Sequence, residues 1–111
     1  MKEGAVVPLQ LRQADAGNKP RPAIALRRLP GFGDWLVCGV SRQLHQFVPG
    51  FDEKVEASDS DFRSSGLTGP SLIRLSFLQS VPLSSIMGSI GSISAERHKR
   101  LLANLARHLA P

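Results

Sequence analysis

The stretch AGNKPRPAIALRR, residues 16–28, joins a polar segment containing glycine to a short apolar run. Within it, Lys19-Pro20-Arg21-Pro22 places an arginine between two prolines. Proline fixes its own φ angle and restricts the preceding residue to extended conformations. Arg21 is therefore expected on stiff, extended backbone at the start of a strand predicted over residues 23–28. A guanidinium is always charged and matches a phosphate group in a forked geometry, so Arg21 is a candidate anion ligand.

Segments on both sides of this strand also have strand character. Residues 5–11 are rich in β-formers, although Pro8 indicates an edge strand or a bulge. Residues 35–40 form a continuous apolar run, which is typical of a central strand, and residues 70–81 alternate between a better-buried face and a polar one. Residues 86–93 predict a short strand with turns, and residues 41–54 predict a long polar connection.

The end of the chain has the clearest helical pattern. Ser94 is a candidate N-cap, and Glu96 suits the positive N-terminus of a helix. An apolar stripe then follows at Leu101, Leu102, Leu105 and Leu109. A single helical turn is expected within residues 58–66, capped by Ser or Asp and stopped by Gly66. The fold class predicted is mainly β with a C-terminal helix: one domain over residues 1–111, a small antiparallel barrel or curled sheet.

Composition narrows the functional classes. The 111 residues are 41% apolar, and no apolar run approaches the roughly 20 residues that a membrane helix needs. The N-terminus lacks the apolar core of a signal peptide, so a cytoplasmic protein without membrane contact is expected. Cys38 has no second cysteine to pair with and is interpreted as a core residue. Three scattered histidines give no metal-ligand spacing, so neither a metal nor a cofactor is expected.

The charge is unevenly distributed. The net charge is +5, and five of the nine acidic residues lie between Asp52 and Asp61. Basic residues are frequent over residues 12–42 and again over residues 97–107. A basic surface attracts phosphate backbones through Coulomb attraction and counterion release, which favours a nucleic-acid partner. Many small domains are basic without such a role, so charge alone leaves the question open.

The residues suit chemistry on an RNA phosphodiester, because RNA carries its own nucleophile in the 2′-hydroxyl. Such an enzyme needs a cation and hydrogen-bond donors for the transition state. Arg21 is the candidate cation, and Ser41, just after the apolar strand, is a candidate donor. His45 is a candidate base or RNA-stacking group. The alternatives are that Pro-Arg-Pro only fixes a loop, that Ser41 is a turn residue and that His45 is solvent-exposed; His98 and His108 are expected on the surface.

The order of these segments resembles the MazF/PemK toxins of bacterial toxin–antitoxin systems. The matching pieces are GAVVPLQL, KPRPAIAL, VCGVSRQ and the segment beginning GLTGPSLIRL, followed by the terminal helix. Together they cover essentially the whole chain in the same order. The chain departs from the family pattern at Ala5, where an acidic residue is usual, at Gly39-Val40, where a proline is frequent, at Ser41, where threonine is also found, and at Arg42.

The resemblance implies a CcdB-like curled barrel, a homodimer and metal-independent, sequence-selective cleavage of single-stranded RNA to a 2′,3′-cyclic phosphate and a 5′-hydroxyl. It also implies a cognate antitoxin. Arg21 and Ser41 match the catalytic arginine and hydroxyl residue, and Gln43 matches a supporting glutamine. The residues expected to bind RNA are Lys19, Arg42, Gln43 and His45. The alternative is a non-catalytic binder of RNA or of a protein such as gyrase, although the chain lacks the C-terminal tryptophan of the gyrase-directed toxins.

Overall fold

A computed structural model of the chain describes residues 1–10 and 20–111, and across these ranges the predicted mainly β fold is confirmed. The strands are β1 (Ala5–Leu9), β2 (Arg21–Arg28), β3 (Trp35–Ser41), β4 (Glu53–Val55), β5 (Ser71–Val81) and β6 (Gly91–Ser92), and the helices are α1 (Phe62–Ser65) and α2 (Ala95–Leu109). Short 3-10 turns occupy Leu44–Gln46 and Leu83–Ser85. The strands pair antiparallel in the order β4-β5-β3-β2-β1-β6, which forms one curled sheet with β3 and β2 at its centre.

Apolar side chains lie on both faces of the sheet because successive strand residues point in opposite directions. One face packs against Leu101 and Leu105 of α2. The side chains buried with them include Val6, Ile24, Leu26, Cys38 and Ile73. The other face has a second layer formed by Ala5, Val7, Leu9, Ala23, Ala25, Trp35, Val37 and Val81. Each fully buried Val, Leu or Ile side chain stabilises the fold by roughly 1.5–3 kcal/mol. Cys38 is thus a core residue, as predicted, and Trp35 is buried in the second layer.

Helix α2 begins where its sequence indicates. The Ser94 hydroxyl accepts a hydrogen bond from the Arg97 backbone N–H at 3.1 Å, so the predicted N-cap is confirmed. Leu109 is an exception to the predicted stripe, because it lies in the last turn, outside the packed layer, and is 67% exposed. His98 is also less exposed than predicted, since its Nε2 lies 2.8 Å from the Leu26 carbonyl. Neither helix described in the structure has the length and apolar character to cross a membrane.

Strand β1 is neither of the two arrangements that Pro8 predicts, because it is not an edge strand and its register with β2 is unbroken over residues 6–9. It lies between β2 and β6, and Pro8 is directly opposite Pro22 of β2. Neither proline has an N–H to donate, so the two can face each other at a position that needs no ladder hydrogen bond. On the other side, β6 pairs only with Ala5 and Val6. The proline is accommodated within the sheet because the ladder requires no donor from it.

The predicted alternation of β5 between a better-buried face and a polar face is wrong, because burial divides the strand into two halves instead. Residues 71–73 and Leu75 are buried, whereas residues 76–80 are exposed. Cys38 of β3 pairs with Leu78, but the next residue of β3, Gly39, pairs with Arg74. Residues 75–77 therefore have no partner in β3 and form a bulge that changes the direction of the strand. The buried Asp52 carboxylate accepts a hydrogen bond from the Leu75 N–H at 3.1 Å, which satisfies a backbone donor of the bulge.

The segment predicted as a long polar connection and a capped helical turn is more ordered than expected. It contains the 3-10 turn Leu44–Gln46 and the edge strand β4. Helix α1 is present and ends at Gly66, which has a φ of 74°. The predicted side-chain cap is wrong, because the Asp61 carboxylate instead accepts hydrogen bonds from the Ser94 N–H and from Arg97. Arg97, which counts as a basic tail residue in the sequence, is buried.

Candidate functional site

A cleft of about 890 Å³ opens where the N-terminal end of β2 and the C-terminal end of β3 meet. The loop after α1 and the bulged part of β5 form its other walls. The side chains and backbone that line it belong to Pro8, Pro20, Arg21, Pro22, Gly39, Val40, Ser41, Arg42, Gln43, Gln46, Gly66, Leu67, Thr68, Arg74, Phe77 and Ile90. Four residues that the sequence predicts as functional, Arg21, Ser41, Arg42 and Gln43, are thus brought to one place.

The register of the sheet explains why Arg21 and Ser41 are neighbours. Ala23 of β2 pairs with Gly39 of β3, and Arg21 and Ser41 each lie two residues beyond that pair, at the same end of the two antiparallel strands. Because side chains repeat every second residue, both lie on the face of Ala23 and Gly39. This face is opposite to the one that α2 covers. A cation and a hydroxyl are therefore presented side by side on a rigid sheet.

Arg21 and Ser41 differ in how the fold uses their polar groups. The Arg21 side chain is exposed and has no hydrogen bond or ion pair with any residue of the described ranges 1–10 and 20–111. Ser41 is half-buried, and its Oγ accepts a hydrogen bond from the Gln43 backbone N–H at 3.0 Å. This bond fits the turn role that the sequence left open for Ser41, and it leaves the hydroxyl hydrogen free to be donated.

Arg42 and Gln43 form the rim of the cleft directly after β3. Both side chains are exposed. Arg42 donates a hydrogen bond from Nη2 to the Thr68 hydroxyl, which joins this rim to the loop after α1. Gly69 leaves room for the guanidinium, because a Cβ at that position would lie 2.8 Å from Arg42 Nη1. The two sides of the cleft are therefore connected through an arginine that forms no ion pair with a carboxylate of residues 1–10 or 20–111.

A third arginine, which sequence reasoning missed, lies deeper in the cleft. Arg74 of β5 pairs with Gly39 across the sheet. Its Nη1 donates to the Gln46 side-chain oxygen at 2.8 Å, and its guanidinium carbon lies 4.1 Å from the centre of the Phe77 ring. Phe77 in turn packs on Gly39, where a Cβ would be only 3.0 Å from the ring. A signal for this cluster exists in the sequence: Arg74 interrupts an apolar strand, where a charge has no packing role.

The cleft is positively charged. Arg21, Arg42 and Arg74 line it, and no acidic side chain does so among its described lining residues. Carboxylates concentrate elsewhere, where Glu53, Asp59 and Asp61 pair with Arg97. Hydrogen bonds from Arg97 and from the Ser94 backbone hold the pKa of Asp61 at about 2, below its ordinary 3.8, so this carboxyl stays ionised. The acids neutralise the buried Arg97, and the cleft arginines remain available to an anion.

Two solved structures have this arrangement of strands and helices. The Mycobacterium tuberculosis toxin MazF-mt6 superposes with a TM-score of 0.69 at 18% identity, over 95% of this chain and 95% of that one. The chain has the MazF toxin fold. An endoribonuclease in complex with its cognate antitoxin, from a mycobacterial species, also gives a TM-score of 0.69, at 15% identity over 98% of this chain and 95% of that one. No protein-family model and no curated protein sequence matches the chain.

The remaining predicted site residues lie away from the cleft lining or beyond what can be described. His45 is exposed in the 3-10 turn, next to the lining residue Gln46 but not itself part of the lining. Lys19 falls outside the described residues.

The departure from the MazF/PemK pattern at Gly39 has a local explanation, since Phe77 occupies the space that any side chain there would need. No group of three His, Cys, Asp or Glu side chains in the described ranges is arranged to hold a metal ion.

Proposed function

We propose that this chain is the toxin of a type II toxin–antitoxin system and a sequence-selective endoribonuclease that cleaves single-stranded RNA without a metal ion. The observation that supports this most strongly is the cleft, in which Arg21, whose side chain has no partner among the described residues, lies beside Ser41 on a MazF-type sheet. Both solved neighbours are toxins or endoribonucleases by name, and one is bound to its antitoxin.

In the proposed reaction the RNA supplies the nucleophile. The 2′-oxygen attacks the adjacent phosphorus and loses its proton, and the bond from phosphorus to the 5′-oxygen breaks. The 5′-oxygen gains a proton and leaves as a 5′-hydroxyl, while the 2′- and 3′-oxygens remain joined in a cyclic phosphate. Negative charge builds on the non-bridging phosphoryl oxygens in the transition state, and stabilising that charge is the task of the protein.

Arg21 and Ser41 are proposed as the catalytic residues. The Arg21 guanidinium donates two parallel hydrogen bonds to the phosphoryl oxygens, and its charge is not attenuated by any partner in the described chain. The Ser41 hydroxyl, whose oxygen is oriented by the Gln43 N–H, donates to the same group. Because both residues stand on adjacent strands, little reorganisation is needed when the substrate arrives.

The residues proposed to bind the RNA on either side of this phosphate are Lys19, Arg42, Gln43 and His45. Arg42 and Gln43 line the cleft, so they would contact nucleotides next to the cut. His45 is exposed outside the lining and would contribute only at the rim. The arginines of the cleft favour contacts to the RNA backbone, which makes affinity fall as salt concentration rises.

A cognate antitoxin and a second copy of the chain are the proposed protein partners. An acidic antitoxin segment suits the cleft, because its three arginines, with no acidic side chain among the described lining residues, would attract it and it would cover Arg21. Support for a dimer comes from exposed apolar side chains near one another in sequence. Leu83, Met87 and Ile90 are each about half exposed. Size-exclusion chromatography with light scattering measures the mass directly.

The experiment that tests the proposed function uses the purified chain and a long unstructured RNA in EDTA. We expect discrete cuts, with 5′-hydroxyl and 2′,3′-cyclic phosphate ends, that disappear with Arg21→Ala and with Ser41→Ala. Arg27→Ala is the matched control, because Arg27 is an exposed arginine of the same strand that is paired with Glu3 outside the cleft. RNA that binds but stays intact would contradict the proposal and indicate a non-catalytic binder.

A further inference from the structure

We propose that Phe77, Arg74 and Gln46 form a nucleobase-binding subsite that selects the base next to the cleaved phosphate. This inference rests on the proposed function, since it names what the same cleft recognises. None of the three residues has a role in the proposed cleavage reaction, yet all three line the cleft. They are connected to one another through Arg74, which contacts both of the others.

The position of the cluster follows from the strand pairing. Arg74 lies directly opposite Gly39, and Ser41 is two residues further along β3. Two residues of an extended strand span about 7 Å. The cluster and the catalytic pair therefore stand in adjacent rows of one sheet face, a separation that suits a base attached beside the reacting phosphate.

Phe77 provides an aromatic surface in this row. Its ring packs against Gly39, the Arg74 guanidinium lies 4.1 Å from its centre, and 48% of the residue remains exposed. The exposed part of this ring, with the guanidinium beside it, is a surface on which a planar base can stack. Aromatic rings and arginine planes are the groups on which unpaired bases stack.

Gln46 adds a directional donor. Arg74 has only N–H groups, so its 2.8 Å bond to Gln46 fixes the amide oxygen toward the guanidinium and turns the NH₂ group away from it. An exposed NH₂ group held in this way donates to a base edge that carries an acceptor. The buried Nε of Arg74 has no acceptor within the described chain, so the fold itself does not use all the hydrogen-bonding capacity of this arginine.

The test compares Phe77→Leu and Gln46→Leu with wild type by mapping cuts in a single-stranded RNA pool of random sequence and by measuring KM and kcat on the preferred site. Leu78→Ala is the matched control, because Leu78 is an exposed neighbour on the same strand that lines the opposite pocket near α2. Thermal unfolding checks that each variant folds. All three substituted side chains are at least partly exposed, so small changes in stability are expected.

We expect Phe77→Leu to raise KM roughly 10-fold with little change in kcat, which is the scale of one lost base stack. Gln46→Leu is expected to relax the base preference at one position beside the cut and to leave the other positions unchanged. Leu78→Ala should behave as wild type. If wild type cuts RNA but both variants keep its KM and its cut-site preference, the subsite is wrong.

A second measurement tests RNA binding by the subsite independently of RNA cleavage. Fluorescence anisotropy with a labelled single-stranded RNA is carried out on Arg21→Ala and on the double variant Arg21→Ala with Phe77→Leu. Weaker binding by the double variant supports the subsite even if wild type shows no cleavage, in which case the proposed ribonuclease activity fails alone. Equal binding by the two overturns the subsite.

Discussion

Two arginines of this chain have opposite environments. Arg97 is buried, and all five of its side-chain N–H groups donate hydrogen bonds. Two bonds go to Asp61, and one each goes to Glu53, to the Lys54 carbonyl and to Asp59. The side chain of Arg21 is exposed and bonds to none of the described residues. The first guanidinium is saturated by the fold and joins α2 to β4 and α1. The backbone of Arg21 is held in β2, while its guanidinium has no partner among the described residues and can bind a ligand.

The largest effect is expected at the saturated arginine. Arg97→Met leaves three carboxylates without their cationic partner. Removing one partner of a buried ion pair lowers the free energy of unfolding by about 3–5 kcal/mol. Urea denaturation measures the free energy of unfolding. Arg100→Met is the matched control, since Arg100 is half exposed and Glu53 is its only ion-pair partner in the described part of the chain; its loss should cost less than about 1 kcal/mol. Equal losses for the two variants would mean that the network does not hold the helix.

The free arginine should show the opposite behaviour. Arg21→Ala is expected to lower kcat/KM by roughly 100-fold or more, because a preorganised donor to the transition state is lost. Its unfolding midpoint in urea should match wild type, since no described contact is broken. Arg27→Ala should change kcat/KM little. A large loss of stability in Arg21→Ala with unchanged turnover of the folded fraction would reverse the roles assigned to the two arginines.

The third effect concerns pH and the partner of Arg97. The pKa of Asp61 is about 2 in the folded chain, against an ordinary 3.8, chiefly because Arg97 bonds to its ionised form. The stabilisation is therefore complete above about pH 4 and is lost as the pH falls toward 2. It amounts to roughly 2 kcal/mol. The stability gap between wild type and Asp61→Asn should narrow by that amount across this range, and parallel curves would contradict the assignment.

The sequence predicts most of the sheet because its signals are local. Apolar runs locate β2 and β3, and Ser94 with its leucine stripe locates α2. The bulge in β5 could not be predicted, since an alternating pattern continues through residues 75–77, where the pairing with β3 is interrupted. A register shift depends on both strands and on Asp52, which is far away in sequence.

The residues of the candidate site also divide into those with a local sequence signal and those brought together only by the fold. Arg21 and Ser41 can be recognised from the sequence, because Arg21 lies between two prolines and Ser41 follows an apolar strand. Arg74 and Phe77 come together only through the bulge, and Gln46 only through a turn that read as irregular loop. Arg97 illustrates the reverse error: its charge reads as surface, whereas three distant carboxylates hold it in the interior. Charge count predicts a basic protein but not which arginines stay free.

The most direct measurement uses two RNA oligonucleotides that differ at a single ribose. One carries the preferred cut site in all-ribose form, and the other has a 2′-deoxyribose on the 5′ side of the scissile phosphate. Cleavage through the 2′-hydroxyl predicts that the first is cut in EDTA while the second stays intact and binds with similar affinity. Cutting of the deoxy-substituted strand at the same bond would contradict the mechanism assigned to Arg21 and Ser41.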